Sequence, residues 1–217
     1  TIHYLGSHRY QIAYTGPGGS VADAKTIPNP AEAAATAISC IAKLKAPQED
    51  PSLLEKYPDI TGGDATIKTT YTVGLVYADS SKDYAAGKIP TDVSIEVDMR
   101  SNNTDNILIM DRQMQECFQD GVDTVNARYT GGVQLAKEQR WYGDRPAYVL
   151  TAEQMSTSPM LAAISYAHQK VNGQQLKLTD PSSASSVNSN VPAAIGIPTV
   201  NINYGKTAAN GQGHSFN

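Results

Sequence analysis

The order of hydrophobic and polar positions predicts six elements in the first 150 residues. Over residues 91–99, Val93, Ile95, Val97 and Met99 alternate with polar side chains, a pattern typical of a strand buried on one face. Asn29-Pro30 is a typical helix start, with Asn as N-cap and Pro in the first turn. The full set comprises strands over residues 1–15, 65–78, 91–99 and 133–142, and helices that begin near Asn29 and span 103–128.

The resulting β-α-β-β-α-β order predicts an α+β fold for residues 1–150, a ferredoxin-like sandwich with four antiparallel strands and two helices on one face. After Leu150 the pattern changes. It predicts a helix over 158–172, a short strand over 174–178, a short helix or turn over 191–196 and a buried strand from Ile197 to Asn203. Residues 151–217 are therefore predicted to be an incomplete part of an α/β domain, because such a layer needs a partner sheet.

Composition excludes several classes of function. The net charge is −4, from 17 basic and 21 acidic residues, so nucleic acid is not an expected partner. No apolar run approaches the roughly 20 residues that a membrane-spanning helix needs. Two cysteines exclude a disulfide scaffold and a cysteine-based zinc cluster, and mid-helix Cys40 and Cys117 are interpreted as small buried hydrophobes.

The two ends of the chain suggest a piece of a longer protein. The sequence begins at Thr1 without a recognisable signal peptide and ends at Asn217 in a glycine-rich loop. We expect a cytoplasmic protein. A secreted or periplasmic location stays an alternative, because a leader could lie upstream.

Three side chains are candidates for binding chemistry. His214 follows a predicted buried strand in a glycine-rich loop, where it could ligate zinc or be an ordinary loop histidine. Arg100 ends the alternating strand and could clamp a carboxylate or form a surface salt bridge with Asp98, Asp105 or Asp144. Asn190 belongs to a run of Ser and Asn that could serve only to cap the next element.

The collinear order of the short motifs resembles the zinc metallopeptidase and amidohydrolase family of acetylornithine deacetylase, succinyl-diaminopimelate desuccinylase, aminoacylase, carboxypeptidase G and peptidase T. The resemblance covers essentially the whole chain and is to the lid, or dimerisation, domain and the C-terminal catalytic segment. The motifs are Gly6-Ser-His-Arg-Tyr10, Gly16-Pro-Gly-Gly19, Ile27-Pro-Asn-Pro30, Thr69-Thr-Tyr-Thr-Val-Gly74, Ile89-Pro90, Ser94-Ile-Glu-Val-Asp-Met-Arg100, Gly143-Asp-Arg-Pro146, Ser185-Ser186, Asn190-Val-Pro192, Gly196-Ile-Pro198 and Gly213-His214-Ser215.

The resemblance implies hydrolysis of a peptide or N-acyl amide bond next to a free carboxylate. It implies two zinc ions per complete chain, with His214 as a zinc ligand, and Arg100 and Asn190 as substrate-binding residues. The substrate would be a small peptide or an N-acyl amino acid, and the lid would form a homodimer. The remaining zinc ligands and the general-base Glu belong to an N-terminal catalytic segment that this chain lacks. The chain alone is therefore expected to be inactive and not to retain zinc.

Three positions depart from the family pattern. Ser20 stands where the family carries a lid histidine, Gly87 where it carries asparagine, and Asn188 where it carries aspartate. Neutral side chains cannot replace imidazolium or carboxylate chemistry. These departures keep open the alternative of a catalytically inactive member or module that serves dimerisation or ligand binding.

Overall fold

The computed structural model describes residues 3–78, 85–129, 131–175 and 186–201. The chain divides into two compact units, which are described separately. The first is Ser7–Asp144, and the second combines Thr1–Gly6 with Arg145–Asn217.

The described part of the first unit contains six strands and three helices. They are β1 (Gly6–Thr15), β2 (Gly19–Ser20), α1 (Pro30–Ile41), α2 (Leu53–Lys56), β3 (Thr69–Tyr77), β4 (Lys88–Ile89), β5 (Asp92–Ser101), α3 (Thr104–Asn126) and β6 (Ala136–Arg145). The four long strands and the two long helices were predicted. The four-residue helix α2 was missed because it lies in a loop rich in Pro, Gly and Asp, and β2 and β4 were missed because two-residue strands carry no periodicity.

The four long strands form one sheet in the order β3-β5-β1-β6. β3 and β5 are antiparallel, with Thr69 opposite Ser101 and Tyr77 opposite Ser94. β1 runs antiparallel to β5, since the Gly16 amide donates to the Thr91 carbonyl at one end. The predicted antiparallel four-stranded sheet is confirmed, and β3 lies at its edge.

One face of the sheet carries the core. The residues predicted to face inward on β5, from Val93 to Met99, are all buried and pack with Tyr10, Ile12 and Tyr14 of β1. The opposing side chains come from α1 and α3, which contact each other and β5. The opposite face of β5 carries Glu96, Asp98 and Arg100, which are half-buried.

Both long helices begin at the predicted caps. The side chain of Asn29 accepts a hydrogen bond from the Ala31 amide, and that of Asn103 accepts one from the Asn106 amide. The helices approach closely at Gly121, where a Cβ atom would lie 2.6 Å from the Ala33 carbonyl oxygen. A side chain at position 121 would therefore push α1 away from α3.

The two cysteines form a disulfide between α1 and α3, so their interpretation as separate small hydrophobes was wrong. Cys40 and Cys117 have Cα atoms 5.5 Å apart and are separated by 77 residues. The pairing is a consequence of the helix–helix contact, which the sequence spacing of two isolated cysteines does not reveal.

The described part of the second unit contains α4 (Ala152–Thr157), α5 (Pro159–Asn172) and α6 (Asn190–Ala194). The Ser-Pro helix start and the glycine stop predicted for α5 are confirmed, with Ser158 as N-cap and Gly173 in the left-handed conformation. Residues 197–201 are not a strand, contrary to prediction, and most of the strand predicted over 174–178 lies outside the described residues. Among the described residues, no helix combines the length and hydropathy needed to cross a membrane.

Candidate functional site

The face of the sheet opposite the helices carries the charged candidate residues of the first unit. The alternation along β5 places Asp98 and Arg100 on this face, because Val97 and Met99 point into the core. Nε of Arg100 lies 3.1 Å from Oδ2 of Asp98, and Nη2 lies 2.8 Å from the same atom. These bonds raise the pKa of the Arg100 guanidinium above its usual value, so it is a permanent cation.

A second guanidinium reaches the same carboxylate from the neighbouring strand. Nε of Arg9 on β1 lies 2.9 Å from Oδ2 of Asp98. The side chains of both arginines are 39% exposed and that of Asp98 is 22% exposed, so the group is accessible from solvent. We call Arg9, Asp98 and Arg100 the arginine triad. It lines a surface depression of about 650 Å³ together with Gly74, Glu96, Val97 and Tyr142.

Next to the arginine triad lies a chain of hydrogen bonds across the sheet. Tyr77 donates from its hydroxyl to Oε1 of Glu96 at 2.9 Å, and Nε2 of Gln11 donates to the Tyr77 oxygen at 3.0 Å. The Tyr142 hydroxyl donates to Oε1 of Gln11 at 2.9 Å. Hydrogen bonding with Tyr142, burial and the nearby Glu96 carboxylate all raise the pKa of Tyr77. The phenol therefore stays protonated and acts as a neutral donor.

Two of the positions that depart from the family pattern meet in a small sheet. β2 and β4 pair antiparallel, with Ser20 opposite Lys88, and the Val21 amide donates to the Gly87 carbonyl at 2.9 Å. The Ser20 hydroxyl oxygen accepts a hydrogen bond from the Ala22 amide at 3.2 Å and caps a short 3₁₀ turn. Ser20 is exposed. The fold thus brings together Ser20 and Gly87, two of the three positions that the motif resemblance singled out.

In the second unit, Arg145 donates from Nη2 to Oδ1 of Asn188 at 2.8 Å. Asn190 is fully buried at the start of α6. Its Oδ1 accepts from the Val187 amide, and its Nδ2 donates to the carbonyls of Leu5 and Pro146 at 2.8 and 3.0 Å. Both N–H groups of the Asn190 amide are therefore engaged by backbone, and its substrate-binding role stays a prediction.

A second cavity, of about 520 Å³, lies within this unit and is mostly apolar. Its lining includes Leu150, Met160, Ile197 and Val200. Among the described residues, the lining carries no ionisable group other than the phenol of Tyr148.

The described residues do not supply a metal site. Among them, no group of three or more His, Cys, Asp or Glu side chains could hold a metal ion. His214, the zinc ligand expected from the resemblance, lies outside the described residues. The described residues therefore do not provide a zinc-binding site by themselves, and we assign no zinc chemistry to them.

Comparison with known proteins identifies solved structures that share this fold. Neither a protein-family model nor a curated protein matches the chain. Among solved structures, an aminobenzoyl-glutamate utilization protein from Klebsiella pneumoniae matches 88% of the chain with a TM-score of 0.61 at 13% identity. A tripeptidase from Staphylococcus aureus matches 91% with a TM-score of 0.59 at 15% identity. The aminopeptidase PepT from Bacillus cereus matches 91% with a TM-score of 0.58 at 16% identity.

These matches establish a fold shared with two peptidases and with an aminobenzoyl-glutamate utilization protein. The chain spans 40%, 43% and 43% of the three structures, respectively, which is less than half of each. The resemblance drawn from the motifs is thereby confirmed at the level of fold.

Sequence reasoning found Arg100 and expected it to pair with a nearby aspartate, which is Asp98 in the structure, but it missed Arg9 as the second partner of that carboxylate. The signal was present: Arg9 lies on the polar side of the β1 alternation, opposite Tyr10 and Ile12. The charge of Arg9 alone does not show which side chain it will meet, because Asp98 lies 89 residues further along the chain and on another strand.

Proposed function

We propose that this chain is part of a peptidase or N-acyl-amino-acid amidohydrolase that cleaves an amide bond next to a free carboxylate. In this proposal the Ser7–Asp144 unit is a ferredoxin-like lid, and the second unit belongs to the catalytic domain. The strand order β3-β5-β1-β6, with α1 and α3 on the core face, supports the lid. The shared fold with peptidases supports the reaction class.

The observation that carries the proposal is the placement of Arg100. Its guanidinium lies on the open face of the sheet, next to a depression, and is held in position by Asp98. An arginine fork is suited to planar recognition of a carboxylate. We therefore assign Arg100 to the free carboxylate of the substrate.

Substituting Arg100 tests this assignment in the chain as it stands. We expect N-acetylglycine to bind saturably in an NMR titration and N-acetylglycinamide, which lacks the carboxylate, to bind much more weakly. Arg100→Gln should weaken N-acetylglycine binding by about tenfold or more, because a charge-assisted bond is lost. Arg112→Gln is the matched control, since Arg112 is exposed on α3 and pairs with Asp59. Equal binding of the acid and the amide would contradict the assignment.

Zinc and the N-terminal catalytic segment belong to the proposal for the complete protein. We assign His214 as the ligand that this chain contributes, and we expect the chain alone to be inactive. The alternative, an inactive module, is favoured by one observation: the Ser20 hydroxyl is occupied in capping a short turn and can supply only a neutral hydrogen bond.

We further propose a homodimer through the edge strand of the lid. β3 lies at the edge of the sheet, contains no charged residue, and exposes Leu75 and Val76 by 56% and 52%. Such an edge favours pairing with a second copy. Val76→Lys should convert the dimer to a monomer in sedimentation equilibrium, whereas Val171→Lys, at an exposed site on α5, should not. A monomeric parent chain at high micromolar concentration would contradict the dimer.

A further inference from the structure

The two arginines of the triad bind Asp98 through different sets of donor atoms. Arg100 uses Nε and Nη2 to bind Asp98, whereas Arg9 uses only Nε. Within residues 3–78, 85–129, 131–175 and 186–201, Nη1 of Arg100 and both Nη atoms of Arg9 make no hydrogen bond. Both guanidinium groups bond to the same carboxylate oxygen, and the N–H groups at Nη1 of Arg100 and at both Nη atoms of Arg9 are left for a ligand.

The charge of the site limits what it can bind. Two guanidinium groups and one carboxylate give the triad a net charge of +1. Glu96 lies in the wall of the same depression and adds a negative charge on that side. A ligand with one carboxylate neutralises the triad, and with Glu96 counted the depression then carries a net charge of −1. A second carboxylate would face Asp98 or Glu96 and be repelled.

We propose that Arg9 is a second carboxylate-binding residue beside Arg100, that Asp98 positions the pair, and that the site selects ligands with a single carboxylate. This inference rests on the proposed role of Arg100 and adds a specificity to it. Gly74 completes the arrangement, because β3 presents no side chain at that point. Even a Cβ atom at position 74 would lie no closer than 3.9 Å to a neighbour, the Glu96 carbonyl oxygen.

The first test varies Arg9 while Arg100 stays intact. N-acetylglycine is titrated into the chain and followed by NMR. Arg9→Gln should weaken binding by about tenfold, and Arg9→Lys should weaken it less, because lysine keeps the charge but loses the planar fork. Arg112→Gln should leave the affinity unchanged. Wild-type affinity in Arg9→Gln, together with a loss in Arg100→Gln, would overturn the role of Arg9 and leave the proposed function standing. Absence of saturable binding to the wild type would overturn both.

The second test separates positioning from simple charge. Asp98→Asn raises the net charge of the triad to +2, so a purely electrostatic site would bind N-acetylglycine more tightly. If Asp98 positions the two guanidinium groups, binding should become several-fold weaker. Retention of the wild-type melting temperature verifies that the variant is folded. Tighter binding in a folded Asp98→Asn protein would overturn the positioning role.

The third test addresses selectivity with two probes of similar shape. N-acetylglutamine carries one carboxylate and N-acetylglutamate carries two. We expect the glutamine derivative to bind several-fold more tightly at pH 7, and Glu96→Gln to reduce this preference. Equal or tighter binding of N-acetylglutamate to the wild type would overturn the single-carboxylate specificity.

Discussion

Replacing both cysteines with alanine is expected to lower the free energy of unfolding of the Ser7–Asp144 unit by about 4 kcal/mol. The Cys40–Cys117 bond closes a loop over a sequence separation of 77 residues. A cross-link of that span removes much of the conformational freedom of the unfolded chain, which in the loop-entropy description is worth roughly 4–5 kcal/mol. The measurement is denaturant unfolding of the wild type and of the Cys40→Ala/Cys117→Ala double variant.

Reduction of the wild type provides the matched control. A reducing agent should destabilise the wild type toward the level of the double variant and should leave the double variant unchanged. The melting temperature should fall by on the order of 10 °C in both comparisons. Two alkylatable thiols per chain in protein that has never been reduced would show that the bond does not form.

The disulfide also affects where the protein is expected to function. Disulfides persist in oxidising compartments and are rare in the reducing cytosol. Cys40 and Cys117 are the only cysteines of the chain, and both are used. The bond therefore favours a secreted or periplasmic protein over the cytoplasmic one expected from the sequence.

Local patterns carried most of the fold prediction. The alternation from Val93 to Met99 identified both the strand and its buried face, because side chains on a strand point alternately to its two sides. The caps at Asn29 and Asn103 were also local, since a cap bonds to amides two or three residues away.

Features that depend on distant parts of the chain were not predictable in the same way. The disulfide requires Cys40 of α1 to meet Cys117 of α3, and the arginine triad requires Arg9 of β1 to meet Asp98 of β5. The strand expected from Ile197 onward is absent from residues 197–201, because a short run of β-branched residues forms a strand only where another strand is available to pair with it.

The candidate site was only partly predictable for a related reason. Arg100 was identified through the motif that ends at it. Its neighbour Arg9, which binds the same carboxylate, lies on another strand and outside that motif. Asn190 was identified by the same kind of match, and the structure shows its amide bonded to backbone carbonyls of Leu5 and Pro146. Motif position therefore singled out candidate residues and did not indicate what each one contacts.

Replacing His214 is expected to have the second large effect, a loss of hydrolysis rate in the complete protein. If this chain is the lid and C-terminal segment of a dinuclear zinc hydrolase, His214→Ala removes a metal ligand. We expect the rate of hydrolysis of N-acyl amino acids to fall on the order of a hundredfold or more, since even changes around metal ligands have effects approaching this size. Substitution of His168, a half-buried histidine on α5, is the matched control and should leave the rate unchanged.

Zinc content of the complete protein, determined by elemental analysis alongside a hydrolysis assay, tests the central claim most directly. The account predicts about two zinc ions per chain and hydrolysis of N-acyl amino acids or dipeptides that disappears when a chelator removes the metal. The 217-residue chain alone should show neither. A folded complete protein that binds no zinc and hydrolyses none of these substrates would contradict the claim and would identify the chain as part of a non-catalytic module.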